Sequence, residues 1–288
     1  TQSGDADDKI VVKGVSHIFP LHKGRGVEAR EFVALEGIDL HVRQGEFLAL
    51  VGPTGCGKST LLDILAGLTR PTGGAAFIDG RKITGPALDR GIVLQGYALF
   101  PWRTVRENVE FGLEIKKLPK DERRATSSRF VALVGLEGFE DHYPHELSGG
   151  MKQRVALARA LACDPDVLLM DEPFAAVDAL TREGLQDELL RIWNETKKTI
   201  IFVTHSIEEA VFLADRVVVF TGTPGTVREV VKIDLPRPRS NSDLRSSAEF
   251  GWIRHKIWNL LQDRSEGERP FQTHVPSVAD AIAPSAAL

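Results

Sequence analysis

The chain has 288 residues, of which 42% are hydrophobic and 26% charged, so it is long enough to bury the core of one large domain, alone or with a smaller insert. Its formal net charge of -4 excludes a general attraction to nucleic acid, and no block of lysine and arginine predicts an anchor on anionic lipid. Two cysteines are too few for a disulfide framework, and no stretch approaches the roughly 18 to 20 apolar residues of a membrane-spanning helix. We therefore expect a folded protein with reduced thiols in the cytoplasm and without a nucleic-acid partner.

The first part of the chain alternates between short strands and loops. Strands with one buried face are predicted at residues 10–15 and 37–42, separated by an irregular basic loop at 21–30. An apolar run at 47–51 then leads into a glycine-rich loop, and a helix is predicted directly after it at 59–68. The order is therefore strand, glycine loop, helix.

The later strands are separated by a stretch with helical signals. Short strands are predicted at residues 75–79, 91–94, 167–170, 199–203 and 216–220. The last four are apolar enough to imply burial on both faces of a parallel sheet. Between them, Thr104 and Glu107 have the spacing of a capping box, and residues 122–134 continue with helix-compatible side chains. We predict a helical insert between two halves of the sheet.

The end of the chain has its own pattern. A Pro-Arg-Pro-Arg run at 236–239 is predicted to be a stiff break. Residues 244–261 follow, in which apolar side chains recur at helical spacing, so we expect this helix to dock on the body. Beyond residue 267 the composition and the lack of periodicity predict a mobile end.

The glycine-rich loop at 52–59 matches the pattern G-x-x-x-x-G-K-[ST]. Its glycines let backbone N–H groups converge on phosphate oxygens, and the following helix points its positive end at them. Lys58 is predicted to reach the β- and γ-phosphates, and the Ser59 hydroxyl to ligate Mg²⁺. The predicted nucleotide-binding residues here are Gly52, Pro53, Thr54, Gly55, Cys56, Gly57, Lys58, Ser59 and Thr60. The loop alone suits a kinase or a GTPase equally well.

Two carboxylates, Asp171 and Glu172, come directly after the predicted strand at 167–170, at the end where open α/β sheets place their ligands. Asp171 suits Mg²⁺, directly or through water, and Glu172 suits a general base for an attacking water. Upstream, Ser148, Gly149 and Gly150 start a long helix and make a second anion site. From these residues alone, an ordinary N-cap followed by a glycine turn stays an open alternative.

Motifs in this order resemble the ATP-binding cassette (ABC) ATPases: residues 52–59, Gln95, residues 147–154, residues 167–172, Asp178 and His205. The resemblance covers roughly residues 10 to 235. It implies an α/β P-loop NTPase fold of the ABC type, with a mostly parallel sheet, an antiparallel β subdomain and a helical insert at about 97–162. Residues 236–266 would then form a C-terminal helical extension, and residues 267–288 the mobile tail.

In this family the LSGGQ-like segment of one subunit caps the ATP held by the phosphate loop of the other, in a head-to-tail dimer. The resemblance thus implies that Ser148, Gly149 and Gly150 complete the partner's site, and that a monomer binds ATP but hydrolyses it poorly. It implies three further roles: Gln95 at Mg²⁺ or the lytic water, His205 as a switch histidine at the γ-phosphate, and Asp178 in a loop at the dimer interface. The catalytic set is Lys58, Gln95, Glu172 and His205, and the Mg²⁺ set is Ser59, Gln95 and Asp171.

An aromatic side chain often stacks on adenine in these proteins. Phe19 lies at the corresponding place, with Phe32 as its rival because the loop between them is long. From the residues alone, His205 is also compatible with a surface position at a helix that Ser206 and Glu209 cap, and Gln95 with an ordinary polar strand end.

Residues 100–109, 147–151 and 233–239 look like the nitrate, sulfonate and taurine importer group. This implies an ATP-hydrolysing subunit, peripheral on the cytoplasmic face of the inner membrane, that powers uptake of a small anion. Its partners would be a second copy or a paralogous ATPase subunit, integral permease subunits and, indirectly, a solute-binding protein. The solute and the homo- or heterodimeric state are not encoded in the motifs.

Two other classes of protein are alternatives to an importer subunit, and several residues differ from those usual in the family. A soluble ABC ATPase acting on DNA or the ribosome usually has a coiled-coil insert or two cassettes, and a non-hydrolysing module would not need Glu172 and His205. Gly96 replaces an acidic residue that is common after the Q-loop glutamine, which leaves coupling to the membrane partner open. Ala175, Val177 and Thr54 also depart from the usual residues, but none removes a catalytic group.

Overall fold

The structure is a computed structural model that describes residues 8–21, 30–175, 177–239 and 242–262. Most of the predicted basic loop at 21–30 and all of the predicted mobile end at 267–288 lie outside the described residues. In chain order the strands are β1 (Asp8–Leu21), β2 (Arg30–Arg43), β3 (Phe47–Val51), β4 (Gly73–Ile78), β5 (Arg81–Lys82), β6 (Arg90–Val93), β7 (Val167–Asp171), β8 (Thr199–Val203), β9 (Arg216–Phe220) and β10 (Val227–Lys232). The helices are α1 (Lys58–Ala66), α2 (Val105–Ile115), α3 (Lys120–Leu133), α4 (Gly149–Ala162), α5 (Ala179–Thr196), α6 (Ile207–Leu213), α7 (Ser242–Arg245) and α8 (Ala248–Gln262), with a short 3₁₀ helix at Pro144–Glu146.

Strands β1 and β2 pair with each other and join β4 and β5 in a four-stranded antiparallel sheet of order β2-β1-β4-β5. Each of the first two strands has 14 residues and is much longer than its predicted stretch. Register shifts interrupt their pairing on both sides of Val15, and the nearby Gly14 and Gly37 adopt positive φ. Because such bulges break the two-residue alternation, the sequence pattern revealed only part of each strand.

A second, six-stranded sheet has the order β10-β9-β3-β8-β7-β6 and is parallel except for the edge strand β10. Strands β3, β8 and β9 have the predicted bounds, whereas β6 begins and ends one residue earlier than predicted and β7 ends one residue later. In β3, Leu48 and Leu50 face one hydrophobic cluster, and Phe47, Ala49 and Val51 face the other. The parallel sheet is therefore covered on both faces, as its apolar strands predict.

The predicted helical insert consists of α2, α3 and α4, which pack against one another. The capping box is confirmed: the Glu107 N–H donates to Thr104 Oγ1, and the Thr104 N–H donates to the Glu107 carboxylate. The long helix after Ser148 ends at Ala162 as predicted.

The C-terminal extension docks on the body through one face of α8, where Phe250, Ile253 and Ile257 are buried. The single helix predicted at 244–261 is wrong in one respect, because a turn separates α7 from α8. The Ser247 hydroxyl accepts a hydrogen bond from the Phe250 N–H, so this serine starts a new helix where a continuous one was expected.

The Pro-Arg-Pro-Arg run is held by its arginines. The Arg239 guanidinium donates to the carbonyl oxygens of Val211, Phe212 and Ala214, which lie at the end of α6 and would otherwise lack partners. Burial lowers the pKa of Arg239 to about 10. Arg237 donates to Asp215 and lies over the ring of Trp193, 4.2 Å from its centroid. The extension is thereby attached to α6 before α7 begins.

Among the described residues, no helix combines the length and the apolar character that crossing a membrane requires.

Candidate active site

The glycine-rich loop joins the end of β3 to the start of α1, between the two sheets. Gly57 has a φ of 90°, and a Cβ there would lie 2.6 Å from the carbonyl oxygen of Ala34, so only glycine fits. The Lys58 ammonium donates to the carbonyl oxygens of Gly52 and Pro53, each at 2.9 Å, and is thus held over the loop. Cys56 is buried, and its burial raises the pKa of its thiol. Its sulfur accepts a third, longer hydrogen bond from the Lys58 ammonium at 3.6 Å.

Ser59 and Asp171 meet at the start of α1. The Ser59 hydroxyl donates to Asp171 Oδ1 at 3.1 Å, which joins the loop to the end of β7. Burial raises the pKa of Asp171, and the hydrogen bond from Ser59 opposes this shift. The site thus pairs a hydroxyl with a carboxylate, both hard oxygen ligands, and a bound cation would stabilise the charged form of Asp171.

Glu172 and His205 lie side by side at the ends of the neighbouring strands β7 and β8. Glu172 Oε1 and His205 Nε2 are 2.6 Å apart. Glu172 has a φ of 45°, unusual for a side chain of this kind, and its N–H donates to the carbonyl oxygen of Val203 at 3.0 Å. The backbone is thus held in a sparsely populated conformation that turns the carboxylate toward the histidine, as is common at functional sites.

Gln95 lies in the exposed turn that follows β6. Because β3, β6, β7 and β8 run parallel, their carboxyl ends share one edge of the sheet, where ligands bind in open α/β folds. The structure therefore gathers Lys58, Ser59, Gln95, Asp171, Glu172 and His205 along this edge.

The Ser148 to Gly150 segment is built as a helix start. Ser148 Oγ accepts a hydrogen bond from the Met151 N–H at 3.3 Å, and both Ser148 and Gly149 are exposed. Gly150 is buried, and a Cβ there would lie 2.6 Å from Thr181 Cγ2 of α5. Gly150 thus has a packing reason to be glycine that the motif did not reveal. Within the described part of the chain, this segment forms no hydrogen bond to the glycine-rich loop.

Asp178 and the two phenylalanines have clear local roles. Asp178 is exposed and caps α5, where its carboxylate accepts a hydrogen bond from the Thr181 N–H at 3.0 Å, and this bond lowers its pKa. Phe19 and Phe32 are directly opposite each other in β1 and β2 and so share one face of the sheet. Phe19 is 40% exposed and lies edge-on to His17, with the ring centroids 4.4 Å apart.

The predicted capping box after His205 is only half formed. Ser206 Oγ accepts from the Glu209 N–H at 3.3 Å, as expected. The Glu209 carboxylate, however, turns away from the helix start and accepts from the Thr204 hydroxyl at 2.5 Å. A buried hydroxyl inside the protein has displaced the reciprocal backbone bond, a preference that spacing alone does not reveal.

Comparisons with known proteins agree with this geometry. A family model described as ABC transporter matches residues 35–175. An uncharacterized ABC transporter ATP-binding protein of Methanocaldococcus jannaschii is 55% identical, over 88% of this chain and 92% of that protein. The nitrate import ATP-binding protein NrtD of Synechocystis is 48% identical, over 82% of this chain and 91% of its own length.

A solved structure is similar in fold and in sequence. It is the dimeric, post-hydrolysis structure of the ATP-binding cassette MJ0796 bound to ADP and Pi, which is 33% identical and has a TM-score of 0.68. The match covers 79% of this chain and all of that one.

Proposed function

Because the chain belongs to the ABC transporter family, we propose that it is the ATP-binding, ATP-hydrolysing subunit of an importer for a small anion. The contact of 2.6 Å between Glu172 and His205, beside the glycine-rich loop, carries the hydrolytic part of this proposal. The similarity to a nitrate import subunit supports the direction of transport and the class of solute.

ATP binds with its phosphates at the N-terminus of α1. The loop N–H groups and the Lys58 ammonium bind the phosphate oxygens, once Lys58 exchanges its bonds to the Gly52 and Pro53 carbonyls for the ligand. Ser59 and Asp171 fit Mg²⁺, with Gln95 as a further oxygen donor. When bound there, Mg²⁺ neutralises charge on the phosphates. Among the described residues, no three or more His, Cys, Asp or Glu side chains are grouped so that they could hold a metal. The remaining ligands of Mg²⁺ would therefore be phosphate and water.

Hydrolysis uses the carboxylate of Glu172 as the base. It accepts a proton from the attacking water, and His205, held against the same carboxylate, orients the water and contacts the γ-phosphate. The positive φ of Glu172 fixes the direction of its side chain before ATP binds. The base and the histidine thus come from two adjacent strands of one chain.

The site is completed by a second copy or a paralogous subunit. The exposure of Ser148 and Gly149 at the start of α4 supports this step, because the first N–H groups of a helix have no partner within the helix and suit phosphate from another chain. The dimeric state of the similar cassette supports it as well. Asp178, exposed at the cap of α5, would lie in the same interface.

Adenine is expected to stack on Phe19 rather than on Phe32, because Phe19 is the more exposed of the pair. Stacking of a base on an aromatic ring contributes about 1 to 3 kcal/mol, so Phe19→Ala should weaken ATP binding by about tenfold. Phe32→Ala, the matched control, should weaken it by about twofold at most. Calorimetric titration with ATP measures both. Equal affinity of Phe19→Ala and the unaltered protein would reject the stacking role, and the reverse order of effects would assign it to Phe32.

Co-purification and ATPase assays test the transport role. We expect it to co-purify with integral permease subunits on the cytoplasmic side of the membrane, and its ATPase rate in that complex to rise with a solute-binding protein and its anion. Nitrate, taurine and alkanesulfonates are the anions to compare. Retention on ribosomes or DNA instead, with no anion raising the rate, would favour a soluble ABC ATPase.

A further inference from the structure

Glu209 is a buried carboxylate that the assignment of the active site leaves unused. It lies on α6, is only 6% exposed and holds specific partners on several sides. Thr204 donates to one of its oxygens. Burial raises the pKa of Glu209, and Thr204, Arg182, Gln186 and Arg245 oppose this shift. Arg182 of α5 forms an ion pair with its other oxygen at 3.7 Å. Burying a charged group is costly unless it is paired in this way, so the arrangement needs an explanation.

Thr204 connects this carboxylate to the backbone around His205. Its hydroxyl donates to Glu209 and, with its oxygen, accepts from the Ser206 N–H at 3.0 Å. The residues before and after His205 are thus tied together by one hydroxyl, whose orientation Glu209 sets. The Thr204 N–H is itself anchored to the Leu50 carbonyl oxygen of β3. Rotation of the histidine backbone would break at least one of these bonds.

Arg182 extends the same network to the loop before Asp178. Its guanidinium donates to the carbonyl oxygen of Val177 at 2.8 Å, while another of its nitrogens faces Glu209. The buried carboxylate therefore lies between the His205 loop and the Asp178 loop, and both loops border the proposed dimer interface.

The C-terminal extension closes the network from the far side. Arg245 of α7 donates to Gln186 Oε1 at 2.6 Å, and its guanidinium lies over the ring of Phe212, 4.0 Å from the centroid. Gln186 is 2% exposed, and both its side chain and the charge of Arg245 act to lower the pKa of Glu209. Farther along, Arg254 of α8 pairs with Glu208 at 2.9 Å, but both side chains are more than half exposed.

We propose that Glu209 is a positioning residue that holds His205 and the Asp178 loop in the arrangement needed for hydrolysis, and that the C-terminal extension completes this support through Arg245 and Gln186. The inference rests on the proposed role of His205. It gives the extension a function in turnover in addition to its packing on α6. Networks of this kind act as units, because each bond orients the next.

The test compares steady-state ATP hydrolysis in variants that remove single links. Glu209→Gln and Thr204→Val should each lower kcat by about tenfold, since a small displacement of a catalytic group costs this much or more, while KM for ATP changes by less than about twofold. Thr204→Ser keeps the hydroxyl and should retain a kcat close to that of the unaltered protein. Arg245→Met should lower kcat by about threefold, and adding it to Glu209→Gln should cause little further loss, because both changes break one network.

Glu208→Gln is the matched control, since it removes the same charge one residue earlier from an exposed pair, and its kcat should be unchanged. Equal kcat values for Thr204→Val and Thr204→Ser would overturn the proposal, whether or not Glu209→Gln folds. So would a loss confined to thermal stability, with kcat per folded molecule intact. His205→Ala distinguishes the proposed role of His205 from the positioning role of Glu209. If His205→Ala retains turnover, both roles are rejected. If His205→Ala loses turnover while Glu209→Gln and Thr204→Val stay active, only the positioning role is rejected.

Discussion

Glu172→Gln should bind ATP almost as tightly as the unaltered protein and yet hydrolyse it at least about 100-fold more slowly, because a positioned general base contributes factors of this size. The substitution keeps the shape of the side chain that lies 2.6 Å from His205, but it replaces a basic carboxylate by an uncharged amide, which cannot take the proton of the attacking water. ATP would then hold the dimer closed without being consumed. We therefore expect a stable dimer in ATP and Mg²⁺ that returns to monomers in ADP.

Single-turnover hydrolysis and size-exclusion chromatography measure these two effects. Glu137→Gln is a suitable control, because it makes the same chemical change at an exposed position in the helical insert. Turnover by Glu172→Gln at the rate of the control would remove Glu172 as the base. Loss of ATP binding together with turnover would point instead to a role in holding the nucleotide.

The strands that carry the site were predictable because they are buried on both faces. Strands β3, β8 and β9 are continuous apolar runs, so their bounds follow from composition alone. The edge strands β5 and β10 were not predicted, since one has two exposed basic residues and half of the six residues of the other are charged. An edge strand needs little burial, and its sequence resembles that of a loop.

The placement of the site was predictable in outline, but its contacts were not. Asp171 ends one strand of the parallel sheet and His205 follows the neighbouring strand, so their common edge follows from topology. The direct approach of Glu172 to His205 depends on a positive φ at a glutamate, which no propensity indicates. The partners of Glu209 come from α5 and from the residues just before α6, and the capping-box pattern predicted the wrong donor for its carboxylate. Local spacing cannot anticipate a bond whose donor is fixed by tertiary packing.

The composite nature of the site gives the second large effect, which Gly149→Asp should reveal. Gly149 is exposed at the first position of α4, where an aspartate is favourable for the helix because its charge opposes the helix dipole. The folded monomer should therefore keep its melting temperature and its affinity for ATP. In the proposed dimer, however, the same carboxylate would face the phosphates held by the other subunit, and such like-charge contact costs several kcal/mol.

We accordingly expect Gly149→Asp to lower turnover by about 100-fold or more and to abolish the dimer that ATP induces, while ATP binding by the isolated chain changes by less than about twofold. Ser128→Asp adds the same charge on the exposed side of α3 and should leave turnover and dimerisation unaffected. Equilibrium ATP binding, turnover as a function of protein concentration and sedimentation in ATP distinguish the cases. If Gly149→Asp hydrolyses ATP like the Ser128→Asp control, the start of α4 does not meet the partner's nucleotide, and each chain must complete its own site. If the ATP affinity of the isolated chain falls in parallel with turnover, the start of α4 contacts the nucleotide of its own chain. That result would also contradict the composite site.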